Sequence, residues 1–154
     1  MKAGLAAAAA LAVLALAPPA GAVKAQKIPL LEVQTEFIGT VGWDGNSVPS
    51  VGQGFIDRSD LYKWKGTARG AWVGTLNASC TFVSIDASSF NFKAMCTASA
   101  NLPGGRLSVS GLYYGSGTKI PIVGGTGAYT GAKGYVTLKD IGGANSADTF
   151  VVTG

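Results

Sequence analysis

From residue 31 onward the chain is written in short segments whose side chains alternate in hydrophobicity, separated by turns containing glycine or serine, and no stretch repeats every 3.6 residues. A two-residue period puts successive side chains on opposite faces of a strand, so this pattern excludes a helical domain and predicts an all-β sandwich or barrel. Strands are expected near Leu31–Ile38, Gln53–Asp57, Leu61–Lys65, Ala71–Leu76, Cys80–Ile85, Phe90–Ala98, Arg106–Tyr113, Lys119–Val123, Tyr135–Asp140 and Thr149–Thr153. The longest loop is expected over residues 39–52, and Leu102-Pro103-Gly104-Gly105 reads as a tight turn, since proline presets φ and glycine accepts positive φ.

The first 25 residues follow another logic. Met1-Lys2 is a short basic start, and the uncharged Ala/Leu/Val run from Gly4 to Ala17 ends at Pro18-Pro19. That run falls short of the roughly 20 apolar residues of a membrane span and matches a secretory signal peptide, with an uncleaved anchor helix as the alternative. Small residues allow cleavage after Ala22 or after Ala25. Residues 1–25 are thus expected to be a signal peptide and residues 26–154 a single β-domain, secreted to an extracellular or periplasmic space with no membrane association after cleavage. Removing residues 1–25 takes away Lys2 and Lys24 but no acid, leaving a net charge of about +2. So small a charge gives no nucleic-acid footprint. Lys63, Lys65 and Arg69 come closest to a cluster, but their interleaving with Tyr62 and Trp64 is what a half-buried strand produces.

Cys80 and Cys96 are the only cysteines, and export to an oxidising compartment predicts a disulfide between them, with two free thiols or a metal pair as the alternative. The intervening segment reads as a hairpin turning at residues 86–89. Centred on Ser88, it sets Cys80 opposite Cys96, Phe82 opposite Ala94 and Ser84 opposite Phe92. One face then carries both sulfurs with Phe82, Phe90, Phe92 and Ala94, and the other carries Thr81, Val83 and Ile85 facing Asn91, Lys93 and Met95. Hydrophobic pattern and register agree.

The chain contains no histidine, which removes Ser-His-Asp and Cys-His catalysis and the usual zinc sites; no metal or cofactor is expected. Acid-base work would fall to the carboxylates, to tyrosine or to lysine. Glu32 and Glu36, four apart on one expected strand, should share a face. Inside a barrel their repulsion and burial would raise a pKa and make one a proton carrier; outside they are solvated charges, which is the expectation here. Gly124-Gly125-Thr126-Gly127 lacks the βαβ setting of a dinucleotide site and the Gly-Lys-Ser/Thr of a P-loop, so it reads as a glycine bend between strands.

The stretch from Ile120 to Val136, and within it Gly124, Gly125, Thr126, Gly127, Tyr129, Ala132 and Gly134, resembles the GGTG-x-aromatic-x-x-A-x-G signature of plant dirigent proteins and allene oxide cyclases. Val51-Gly52, Ser59-Asp60-Leu61-Tyr62, Val73-Gly74, Cys80, Cys96, Leu102 to Gly105 and Ser110-Gly111-Leu112 resemble the secreted bacterial branch of that superfamily. The likeness covers about residues 31–154, with Lys133 departing from the usual arginine. It implies an eight-stranded antiparallel closed barrel, related in shape to lipocalins, with an apolar lumen. The ten expected segments exceed eight, so at least two would be loop or broken-strand pieces.

The resemblance further implies that the lumen holds a small hydrophobic molecule. Either the barrel only binds it, which is the reading favoured here, or it acts as a cyclase or isomerase steering a reactive intermediate; a structural or protein-binding barrel is the third possibility. A steering enzyme would need polar groups converging in an aromatic-lined lumen. Trp72, Phe82, Phe92, Tyr113 and Tyr129 are the candidate ligand contacts, while no catalytic residue can be assigned.

Overall fold

The computed structural model describes residues 23–86 and 91–154; the run expected to be a signal peptide and the expected hairpin turn with Phe90 lie outside the described residues. Eight antiparallel strands follow one another around a closed barrel: β1 (Gln26–Thr40), β2 (Gly54–Trp64), β3 (Arg69–Asp86), β4 (Asn91–Leu102), β5 (Gly105–Tyr113), β6 (Lys119–Gly127), β7 (Lys133–Gly142) and β8 (Asn145–Thr153). Each strand pairs with its sequence neighbours, and β1 closes the barrel on β8 from Gln26 opposite Val152 to Val33 opposite Asn145. Closure leaves no edge strand to template aggregation.

The ten expected segments resolve into eight because two pairs fuse. Residues 58–60 and 77–79 fall between expected segments but lie within the β2·β3 ladder, where Arg58 pairs with Asn77, Ser59 with Leu76 and Asp57 with Ala78, so β2 and β3 are single long strands. Polar residues are tolerated there because one face looks outward, while Ser59 finds a partner inside.

Besides an irregularity between Tyr62 and Trp64, single extra residues interrupt the ladders at Thr35 on β1, Val73 and Val83 on β3, Val123 on β6 and Ile141 on β7. Each is a β-bulge, and one extra residue exchanges inside for outside along the rest of the strand. The hairpin holds Cys80 opposite Cys96 and Phe82 opposite Ala94 as expected, and the two sulfurs are bonded. Beyond Phe82 the Val83 bulge corrects the expected register: Ser84 faces Lys93, and Phe92 faces Ile85, which turns into the barrel.

The interior is packed at one end and open at the other. Leu30, Leu61, Leu107, Phe150 and Val152 fill the packed end together with Val23, which precedes β1. The glycine signature finishes that end. An added Cβ on Gly125 would lie 2.5 Å from the Tyr129 carbonyl oxygen and 2.7 Å from that of Arg106, while Gly127 sits at φ 60° against the Gly104 carbonyl. The bend they permit tucks Tyr129 into the core with its hydroxyl donating to the Pro103 carbonyl at 3.3 Å.

Reducing the Cys80–Cys96 bond should destabilise the barrel by up to about 3 kcal/mol, the chain-entropy value for a loop of this length, read by urea unfolding with and without reductant. Gly127→Ala should cost more than about 1 kcal/mol, because alanine resists the left-handed region. A melting temperature unchanged by this substitution, or raised by nucleotides, would contradict a purely conformational role.

Candidate functional site

Small inward residues keep the open half of the barrel from filling. Ala78 and Cys80 on β3 and Cys96 and Ala98 on β4 leave a cavity of about 630 Å³ that runs from the packed end to the mouth. That is room for one small molecule.

One wall of the lumen is aromatic. Phe82 stands at its centre, with Trp43 edge-on at 5.2 Å between ring centroids, Phe55 at 5.5 Å and Phe92 edge-on at 5.2 Å. Phe37 stacks on Phe55 at 5.1 Å, and Tyr113 follows Phe92 at 5.9 Å. Phe37 faces inward because the Thr35 bulge reverses the phase of β1. Trp43 belongs to the loop between β1 and β2, where no period marks it. Its position is fixed by a turn in which the Asp44 carboxylate accepts the Asn46 and Ser47 backbone N–H groups, and by its indole N–H donating to the Ser47 carbonyl. Those hydrogen bonds hold the fully exposed Asp44 carboxyl below its ordinary pKa.

Beside these rings the lumen is acidic, with Asp57 on β2 paired to Phe37 on β1. Glu32 on β1 is buried beside Ser59 on β2 and Ser146 on β8. Ser59 Oγ lies 2.8 Å from Glu32 Oε1 and 3.2 Å from Asp57 Oδ1; Ser146 Oγ lies 3.1 Å from Glu32 Oε2 and 2.5 Å from Asp148 Oδ1. Each serine has one proton for two oxygen contacts, so the second proton in each bridge has to come from a carboxyl O–H. Burial first, then the charge of Glu32, pushes Asp57 up to about 6 and Asp148 well above the ordinary carboxyl range. Both aspartates therefore hold a proton more tightly than an exposed carboxyl does, and Glu32 accepts from both serines. Gln34 Nε2 also donates to Asp57 Oδ1 at 3.2 Å. Across the lumen, burial and then the charges of Asp140, Glu32, Asp148 and Asp57 raise the Tyr113 pKa, which keeps its hydroxyl a donor.

The expectation for the two glutamates is corrected in both parts. They do not share a face: Thr35 bulges between them, so Glu32 looks into the lumen while Glu36 forms an outer ion pair with Arg58 at 2.5 Å. Glu32, expected outside, is 7 % exposed. Of the five aromatic candidates, Phe82, Phe92 and Tyr113 line the cavity. Trp72 does not, because the Val73 bulge leaves it outside, 57 % exposed and donating its indole N–H to Asp60. Tyr129 is buried at the packed end, away from the cavity. Asp57 and Asp148 were not singled out in the sequence, since partners 91 positions apart leave no local signal.

A search of curated protein sequences returns no match. Solved structures share the fold at low identity. A pyocyanin demethylase superposes with a TM-score of 0.67 at 19% identity over 83% of this chain and 100% of its own. An exo-specific intermolecular Diels-Alderase gives 0.65 at 17% over 85% and 99%, and a pterocarpan synthase dirigent protein 0.64 at 16% over 97% and 98%. The family model for the allene oxide cyclase barrel like domain matches residues 31–152, nearly the whole barrel, and the chain belongs to that family.

Proposed function

We propose that this protein is a secreted barrel that takes a small, largely aromatic molecule into its lumen and steers its isomerisation or cyclisation by proton transfer. The observation that carries the reading is one lumen lined both by a run of contacting aromatic rings and by three carboxyls bridged by two serines. Rings and a narrow lumen hold a flexible molecule in one conformation and exclude water, which lowers the entropic part of a barrier. Asp57, with a pKa near 6, is poised to give or take a proton close to neutral pH, and the Ser59–Glu32–Ser146 chain links it to Asp148. One proton delivered to the ligand and one removed leaves the reaction redox-neutral. The solved relatives are named for small-molecule chemistry, which fits this reading.

Export follows from the basic start and apolar run, and cleavage after Ala22 is favoured over Ala25 because it keeps Val23, which packs into the closed end. Native mass spectrometry of the exported protein, mixed with hydrophobic cell extract, is expected to show a chain beginning at Val23 with one ligand retained, and turnover of that ligand to a product of single handedness. Asp57→Asn should slow turnover by about 10²–10⁴-fold, the usual worth of a positioned acid or base. A ligand returned unchanged would leave a binding protein, and no retained ligand would sink the lumen reading.

The acidic wall also sets a pH dependence of stability. Asp57 and Asp148 bind protons more tightly folded than unfolded, so their contribution is fully present below their unfolded values and is lost as pH rises through the folded ones. The melting temperature should therefore rise as pH falls from about 8 to about 5, and Asp57→Asn should flatten the slope. A melting temperature that falls steadily over that range would contradict the shared-proton network.

A further inference from the structure

The charge around the lumen has one sign. Carboxyls reach the cavity from β1 (Glu32), β2 (Asp57), β7 (Asp140) and β8 (Asp148), with Asp86 at the end of β3, and no lysine or arginine lines it among the described residues. The basic side chains nearest a cluster, Lys63, Lys65 and Arg69, belong to the packed end and the outer surface, where Arg69 lies over the Tyr62 ring.

Two further features ask for a donor. Asp148 is 1 % exposed, and its Oδ2 is buried without a hydrogen-bond partner. With Oδ1 engaged to Ser146, Oδ2 is a buried acceptor that lacks a donor, which is costly for a polar atom shut away from water. The same lumen is lined by the rings of Phe37, Phe55, Phe82 and Phe92, with Phe37 the cross-strand partner of Asp57, and the quadrupole of a ring face attracts a cation and repels an anion.

Resting on the reading of the lumen as a ligand site, we propose that the molecule it selects is an aromatic carrying a cationic nitrogen, held by the phenylalanine rings and the Glu32–Asp57–Asp148 carboxyls that line the same cavity, and that aromatic carboxylates are rejected. A carboxylate there would leave water for a site already lined with like charge. A cationic N–H gains both the orphan acceptor and the ring faces.

The test uses three probes that share one ring system and differ in charge: naphthylmethylammonium, naphthylmethanol and naphthoate, titrated into the mature protein near neutral pH by calorimetry. The ammonium should bind about tenfold or more tighter than the alcohol, and the carboxylate weaker than both. In Asp57→Asn, and separately in Asp140→Asn at the mouth, the ratio of ammonium to alcohol affinity should fall; the second variant serves if the first does not fold. Alcohol binding with no preference for the ammonium, or naphthoate binding as tightly as the alcohol, overturns the charge selectivity while leaving the lumen as a ligand site. Binding of none of the three overturns the lumen reading and this inference with it.

Discussion

The ladder between β1 and β8 is the constraint on which the rest of the molecule depends. It joins the first and last strands over eight residue pairs and converts a sheet with two open edges into a closed wall. It also builds the site, because Glu32 on β1 meets Ser146 and, through it, Asp148 on β8, across 114 positions of sequence. Without closure these carboxyls would sit at opposite margins of an open sheet, solvated and ordinary. Closure is what buries them together, and burial beside a like charge is what raises Asp148 and Asp57.

The wall is tuned by single residues rather than by whole elements. Thr35 sends Glu32 inward and Glu36 outward, and brings Phe37 to the mouth; Val83 does the same for Ile85, and Val73 leaves Trp72 outside. Alanines and the disulfide at inward positions of β3 and β4 hold back the volume that larger side chains would fill. At the other end Leu30, Leu107 and Phe150 occupy the same kind of position and leave no space. One barrel is thus a packed core over half its length and a cavity over the other half.

The rings and the carboxyls of that cavity divide the chemistry. The rings supply contact area and shape with few torsions to freeze, and the carboxyls supply protons and negative potential. The serines are as important as the acids, since each can both accept and donate and so lets charge be shared among three carboxyls that could not all be ionised at such spacing.

Much of this was legible in the chain. Two-residue alternation dictated strands, the absence of histidine removed whole classes of catalysis, and the Cys80–Cys96 spacing matched a hairpin register that the barrel adopts. The glycine signature announced both the family and a bend, and Gly125 and Gly127 stand where a side chain would meet backbone. Those are local facts, decided by φ, by side-chain period or by residue chemistry, and they survive in any fold the segment enters. Which face is inside is another matter. Parity counting failed at Thr35 and Val83 because a bulge is one residue whose only mark is the pairing of its neighbours on another strand. Glu32, Asp57 and Asp148 look like any surface acids in sequence; only the closed barrel, by bringing the chain's two ends into one ladder and shutting water out from between them, makes them one site.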